Sequence, residues 1–180
     1  FDQVVFAAPD VDAGLFAEIV PTIAPLARRL TLYASENDWA LVASRKLHGD
    51  YARAGQGGAD TLSTPWVDSV DMSALGEDML AHGYFADDRS ALADLAMLLW
   101  RNLAPARRCG LDPVAHDSGR ATWRYLPGVC PEEALLAVLG NLQQEGVETP
   151  AAAVRAVDDL VQDPDLLGAI RPVVQRMMTN

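Results

Sequence analysis

An aspartate and a histidine, Asp38 and His82, follow two successive predicted strands in an order that suits acid–base chemistry. A histidine accepts and returns a proton near neutral pH, and a neighbouring carboxylate fixes its tautomer and stabilises its protonated form. Functional groups of parallel sheets gather where the carboxyl ends of the strands meet. We therefore expect Asp38 and His82 to form a hydrolytic acid–base pair. The alternative is that Asp38 caps a helix and His82 is a surface residue.

A second set of polar residues surrounds the end of the first predicted strand. Asp10 and Asp12 form a D-x-D pair there, which is how haloacid-dehalogenase-like phosphatases present a nucleophilic carboxylate and a ligand for Mg²⁺. Lys46 is the only lysine in the chain, which disfavours that chemistry. In a hydrolase, Asp10 and Asp12 would cap the next helix and line the crevice. His48, near the end of a predicted helix, is either a C-terminal cap or a residue that lines the site.

The elements that must position these residues alternate between strand and helix. Continuous apolar runs predict strands over Phe1–Ala8 and Leu30–Ala34, and a weak alternation predicts a third over Trp66–Met72. This order predicts a parallel α/β sheet. Further along, Gly55–Gly58 is predicted to be a flexible loop and Thr122–Tyr125 a short edge strand. Helical spacing predicts helices over 16–30, kinked or divided by its prolines, and over 39–47 and 90–103.

The character of the chain changes after residue 127. Three amphipathic helices, each with a proline at its start, are predicted over 131–145, 150–162 and 164–178. We therefore expect an α/β domain over residues 1–127 and an acidic helical appendage over residues 128–180.

Composition excludes several classes of function. The 180 residues carry a net charge of −11, which disfavours binding to nucleic acids and to anionic membranes. No apolar run reaches the roughly 20 residues that a membrane-spanning helix needs. Cys109 and Cys130 suggest neither a disulfide framework nor a metal site, so we expect a protein of the reducing cytoplasm.

Four ordered segments resemble a bacterial alpha/beta-hydrolase group whose members are mostly hydrolases of unknown function. They are Val4–Asp12, Thr31–Leu41, Leu47–Gly49 and His82–Phe85, and the likeness continues to about Tyr125. The resemblance implies that Phe1 begins the sixth strand of an eight-stranded sheet. It also implies that Asp38 is the triad acid after strand seven and His82 the triad base after strand eight. No metal or organic cofactor is implied.

The chain departs from this group in one respect, because it has no G-x-S-x-G nucleophile elbow. It also opens inside a strand. We therefore expect the C-terminal portion of an esterase- or lipase-like serine hydrolase that acts on small-molecule esters, with a missing N-terminal segment as its partner. One alternative is a noncatalytic assembly module that self-associates through the strand at Phe1–Ala8. A less favoured alternative is an Mg²⁺-dependent phosphotransferase that uses Asp10 and Asp12.

Overall fold

A computed structural model describes residues 1–76, 89–116 and 120–179. The chain divides into two compact units. The first is formed by residues 1–84 and 111–126, and the second by residues 85–110 and 127–180.

The first unit is built on a five-stranded sheet with the strand order β1-β2-β3-β5-β4. Strands β1, β2, β3 and β5 run parallel, and β4 pairs with β5 in the antiparallel direction. The predicted α/β architecture is therefore confirmed. The strands are β1 (Gln3–Ala7), β2 (Arg29–Ala34), β3 (Asp68–Asp71), β4 (Leu111–Val114) and β5 (Thr122–Tyr125).

Strand β2 lies between β1 and β3, and its sequence explains its position. The side chains from Leu30 to Ala34 are all buried, which is typical of a strand covered on both faces. It pairs with β1 on one side and β3 on the other, and Ala34 lies in register with Asp71. The carboxyl ends of β2 and β3 are therefore neighbours.

Two helices of the first unit begin at aspartate caps. Helix α1 (Ala13–Ile23) starts after Asp12 and contains Pro21, and a short 3₁₀ turn over Ala24–Leu26 follows it. Helix α2 (Trp39–Leu47) starts after Asp38. An aspartate side chain stabilises a helix start because it accepts hydrogen bonds from unpaired backbone N–H groups. The predicted kinked or divided first helix is thus observed as a helix followed by a 3₁₀ turn.

The core of the first unit lies between α1 and the sheet. Phe16 and Val20 of α1 are buried with Leu30 and Leu32 of β2. The ring of Phe6 on β1 meets that of Phe16 edge-on, with centroids 5.0 Å apart. This packing holds β1 and β2 in place at the edge where the candidate residues lie.

The predicted position of β5 is wrong. It lies between β3 and β4, so it is an inner strand, and β4 is the outer one. Strand β4 contains Asp112 and Pro113, so it lacks the apolar pattern of a buried strand. Proline is tolerated at a sheet edge because it removes a donor that no neighbour needs.

The second unit is helical. Its helices are α3 (Arg89–Arg101), α4 (Glu132–Gln144), α5 (Pro150–Leu160) and α6 (Pro164–Met178). Helix α3 packs on α4, and α5 on α6. The core includes Leu135, Leu142, Ile170 and Met177, all fully buried. An ion pair between Arg108 and Asp94, 2.7 Å long, is also buried.

Cys109 and Cys130 form a disulfide, with their Cα atoms 5.6 Å apart. The expectation that these two cysteines do not form a disulfide framework is therefore wrong. The antiparallel pairing of β4 with β5 brings together the ends of the intervening segment. The separation of 21 residues between the two cysteines did not by itself indicate that they lie close together. Within the described part of the chain, no helix is both long and apolar enough to cross a membrane.

Candidate functional site

Asp38 lies four residues beyond the end of β2, at the start of α2. Its Oδ1 accepts hydrogen bonds from the backbone N–H groups of Ala40 and Leu41, at 3.0 and 3.2 Å. The side chain is half-buried, and among the described residues it makes no ion pair. The helix start therefore fixes the direction of the Asp38 carboxylate, and no side-chain cation of the described ranges lies beside its charge.

The predicted base, His82, lies outside the described residues. In the sequence His82 follows β3, whose last residue is Asp71. Asp71 pairs in register with Ala34 at the end of β2. The described part of the sheet thus places the carboxyl end of β3 beside the loop that carries Asp38.

The predicted flexible loop, Gly55–Gly58, is instead mostly buried across the carboxyl ends of the strands. The Gly55 carbonyl accepts a hydrogen bond from Ser35 N at 2.9 Å, and Gly58 N donates to Asp71 Oδ2 at 3.1 Å. A Cβ atom on Gly57 would lie 2.4 Å from Asp71 Oδ1. Glycine is therefore required there for close approach, and the loop predicted to be flexible is held by hydrogen bonds at both ends.

A cavity of about 440 Å³ opens beside this loop. Its size is within the range of small-molecule sites. Its lining includes Glu36, Asp71 and Ser73, which lie after or at the ends of β2 and β3, and also Arg124 and His116. The four residues singled out around the described strand ends, Asp10, Asp12, Asp38 and His48, do not line it.

Asp10 belongs to a separate cluster beyond the end of β1. Its Oδ1 accepts hydrogen bonds from Ser44 Oγ at 2.7 Å and from Arg53 Nε at 2.6 Å. Arg53 Nη2 also donates to the Asp10 backbone carbonyl at 3.0 Å. The Arg53 side chain is only 10% exposed, so Asp10 supplies the counter-charge of a nearly buried cation.

The pKa of the Asp10 carboxyl reflects these partners. Partial burial alone raises that pKa, but the hydrogen bonds from Ser44 and Arg53, together with the charges of Arg53 and His48, outweigh burial and lower it. Asp10 therefore stays ionised as the partner of Arg53.

Asp12 and His48 both lie at helix ends. Asp12 caps α1 by accepting a hydrogen bond from Leu15 N at 2.9 Å. His48 ends α2, and its Nδ1 lies 2.8 Å from the carbonyl oxygen of Ser44 and 3.3 Å from Ser44 Oγ. Since a carbonyl only accepts, the short contact places the proton on Nδ1, so that nitrogen has no lone pair with which to activate the Ser44 hydroxyl. Asp10, Ser44 and His48 thus meet without forming a catalytic triad.

Sequence reasoning did not select three polar residues that line the cavity of about 440 Å³, namely Asp71, Ser73 and His116. Asp71 and Ser73 join the ends of β2 and β3, and His116 Nε2 lies 2.7 Å from Thr122 Oγ1. The available signal was position, because Asp71 lies near the end of the predicted strand Trp66–Met72 and Ser73 directly follows it. Asp10 and Asp12 drew attention through a similar position after the first predicted strand.

Comparison with known families identifies this fold. Residues 1–99, more than half of the chain, match the model of the family described as alpha/beta hydrolase of unknown function (DUF900). The chain belongs to this family, and its mostly parallel sheet agrees with that membership. The matched region includes both Asp38 and His82 and ends before β4 and β5, whereas the resemblance noted in the sequence extends to about Tyr125.

No curated protein and no solved structure matches the chain.

Proposed function

We propose that this chain supplies the acid–base half of a serine hydrolase that cleaves carboxylic esters. Asp38 orients the imidazole of His82, and His82 acts as the general acid and base. The single observation that carries the proposal is the setting of Asp38, a carboxylate held by a helix start after the end of β2 with no side-chain cation beside it among the residues that the structure describes. Membership of an alpha/beta-hydrolase family supports the same assignment.

The reaction needs a serine that this sequence does not offer in a G-x-S-x-G elbow, so the nucleophile comes from another segment. His82 accepts the proton of that serine hydroxyl as the serine oxygen attacks the ester carbonyl. The imidazolium then returns the proton to the departing alcohol, leaving an acyl-enzyme. Water repeats the two steps and releases the carboxylic acid. The Asp38 carboxylate stabilises the imidazolium in both halves of the cycle.

The difference in cationic partners explains why Asp38, and not Asp10, suits this role. A triad acid stabilises a positive charge that appears during the reaction, so its own charge must not already be neutralised. Arg53 is paired with Asp10, whereas the Asp38 side chain, within residues 1–76, 89–116 and 120–179, bonds only to backbone N–H groups of its own helix. No observation favours Asp10 and Asp12 as an Mg²⁺ site, since Asp10 binds a cationic side chain and Asp12 caps a helix.

The test is covalent labelling of the protein, as its source cell produces it, with a fluorophosphonate probe, followed by mapping of the labelled residue. We expect one labelled serine outside this sequence, and labelling that falls at least about 10³-fold in His82→Gln. His48→Gln is the matched control, because His48 ends a helix and is expected to leave labelling unchanged. No labelled serine, or equal labelling of the His82 variant and its control, would overturn the proposal.

A second candidate function is assembly through β1, which pairs only with β2 within the described residues. Its side chains are at most half-buried, and Phe1 is 88% exposed. An unpaired strand edge is a template for another strand, so it favours association with a second chain or a further segment.

Val5→Pro tests this candidate. Ala8 N donates to the Tyr33 carbonyl on β2, so by alternation along the strand the N–H of Val5 points to the open edge. Proline removes that donor without breaking a bond to β2, and Val5→Ala is the control that retains the donor. Sedimentation should show self-association of the parent chain and of Val5→Ala, but not of Val5→Pro. A monomeric parent chain, or equal behaviour of the two variants, would contradict it.

A further inference from the structure

Ser73 joins the end of β3 to the loop that precedes Asp38. Its Oγ accepts a hydrogen bond from the backbone N–H of Glu36 at 2.8 Å, and its carbonyl oxygen accepts one from Asn37 Nδ2 at 2.7 Å. Glu36 and Asn37 are the two residues directly before Asp38. One residue after β3 therefore holds two consecutive residues of the loop after β2.

Asp71 sets the direction of the Ser73 hydroxyl. Ser73 N donates to Asp71 Oδ1 at 3.0 Å, and the hydroxyl donates to the same oxygen. Because the hydroxyl proton is committed to a carboxylate, the lone pairs of Oγ remain to accept from Glu36 N. Asp71 itself is held by Gly58 N, at 3.1 Å from its Oδ2. Hydrogen bonds to an ionised acceptor are stronger than neutral ones, so Asp71 gives the arrangement stiffness.

The loop is also held from its own side. Asn37 N donates to Ser35 Oγ at 3.1 Å, and Ser35 N donates to the Gly55 carbonyl at 2.9 Å. The helix cap fixes the Asp38 carboxylate relative to α2, but a cap does not fix the start of α2 relative to β3. The two bonds to Ser73 supply that second constraint.

We propose that Ser73 is a positioning residue for Asp38, holding its carboxylate at a fixed place relative to the end of β3, from which the chain continues towards His82. This inference rests on the proposed pairing of Asp38 with His82. Triad geometry tolerates little displacement, since groups must be held to about 0.5 Å for productive proton transfer. Ser73 acts through the loop and does not touch the reacting atoms.

The test is an NMR titration of the His82 imidazole in the full chain, with its signal assigned by comparing His48→Gln, His82→Gln and His116→Gln. A nearby carboxylate raises a histidine pKa, so Asp38→Asn should lower the His82 pKa by about 1 unit. In a Ser73→Ala background, the same Asp38→Asn change should lower it by less than half as much. Ser73→Thr retains the hydroxyl and should restore the full difference.

Two further variants make the result specific. Ser69→Ala is the control, because Ser69 is a buried serine on β3 whose hydroxyl has no hydrogen-bond partner among the described residues. It should leave the Asp38-dependent difference unchanged. Asn37→Ala removes the second bond to Ser73 and should reduce the difference as Ser73→Ala does, which gives an independent readout if Ser73→Ala does not fold.

The outcomes separate the two proposals. If Asp38→Asn does not move the His82 pKa in the parent chain, the pairing itself is wrong and the proposed function fails. If Asp38→Asn moves it equally in the parent, Ser73→Ala and Asn37→Ala chains, the pairing stands and the positioning role of Ser73 is overturned.

Discussion

Asp10 and Asp38 both follow parallel strands of the sheet, but the fold uses them differently. Asp10 is bound by the nearly buried Arg53 and by Ser44, side chains that lie 43 and 34 residues away in the sequence. In the described part of the chain, the Asp38 carboxylate is bound only by N–H groups of the helix that it starts. The first carboxylate joins separate parts of the first unit, and the second is fixed in direction without being neutralised.

This difference separates a structural carboxylate from a functional candidate. Both residues occupy the place where α/β proteins gather functional groups, so position alone does not distinguish them. Charge compensation distinguishes the two residues, because an aspartate already paired with arginine has less capacity to stabilise a new cation. Substitution of Asp38 should therefore lower activity, whereas substitution of Asp10 should lower stability.

The largest expected effect is that of the substitution Asp38→Asn on catalysis. We expect kcat for hydrolysis of a short-chain ester by the protein as its source cell produces it to fall by about 10⁴-fold, because the amide does not stabilise the imidazolium. Asparagine caps helices about as well as aspartate, so the free energy of unfolding should change by less than about 0.5 kcal/mol.

Asp163→Asn is the control for that variant. Asp163 caps α6 through bonds to the N–H groups of Asp165 and Leu166, the same arrangement as at Asp38. It should leave kcat unchanged. Equal losses at the two caps would mean that Asp38 acts only through its helix.

The next effect is on stability, from Asp10→Ala. Removing this carboxylate leaves the Arg53 guanidinium nearly buried without its counter-charge, and because Asp10 is itself half-exposed we expect a loss of about 1–2 kcal/mol. Urea denaturation measures it. Asp2→Ala, which removes an exposed ion pair with Arg28, should leave the midpoint unchanged. If the Asp10 variant is as stable as this control, Asp10 does not have the structural role assigned to it.

A smaller effect is expected from Ser44→Ala. This change removes the 2.7 Å hydrogen bond to Asp10, worth about 1 kcal/mol, but alanine recovers about 0.5 kcal/mol of helix propensity within α2. The net loss in unfolding free energy should therefore be about 0.5 kcal/mol, with a higher Asp10 pKa in an NMR titration. An unchanged Asp10 pKa would show that the hydroxyl does not hold the carboxylate.

The smallest effect is the pH dependence of the Asp10 contribution. The folded pKa of Asp10 is lower than that of an unfolded chain, about 3.9, so the unfolded chain binds the proton first as pH falls. The contribution is complete above about pH 4 and is lost as pH falls through the lowered folded pKa. The stability difference between the parent and Asp10→Asn should be constant from pH 7 to 5 and shrink below pH 4. A difference that grows in acid would contradict the lowered pKa.

Elements with strong local signals were predictable from the sequence. Helix α2 has a capping aspartate at its start and basic residues in its last turn, and its predicted bounds are those observed. Strand β2 has a continuous apolar run, and the observed strand is one residue longer than predicted. In both cases the pattern that defines the element is contained within its own residues.

Features that depend on pairing between distant residues were not predictable. Strand β4 has no apolar pattern of its own and exists because it pairs with β5. The bonds of Ser73 to the loop before Asp38 depend on the register of β2 against β3. The burial of Gly57 depends on the approach of Asp71, 14 residues further along the chain. The sequence therefore located the candidate acid but not the residues that hold it.

The most direct measurement compares the rates at which a fluorophosphonate labels three forms of the protein as its source cell produces it, namely the parent, Asp38→Asn and Asp10→Asn. We predict that labelling of Asp38→Asn is slower than that of the parent by at least about 10³-fold, and that Asp10→Asn stays within about threefold of the parent. Equal rates for the two variants, or a greater loss in Asp10→Asn, would contradict the assignment of Asp38 as the carboxylate that serves the reaction.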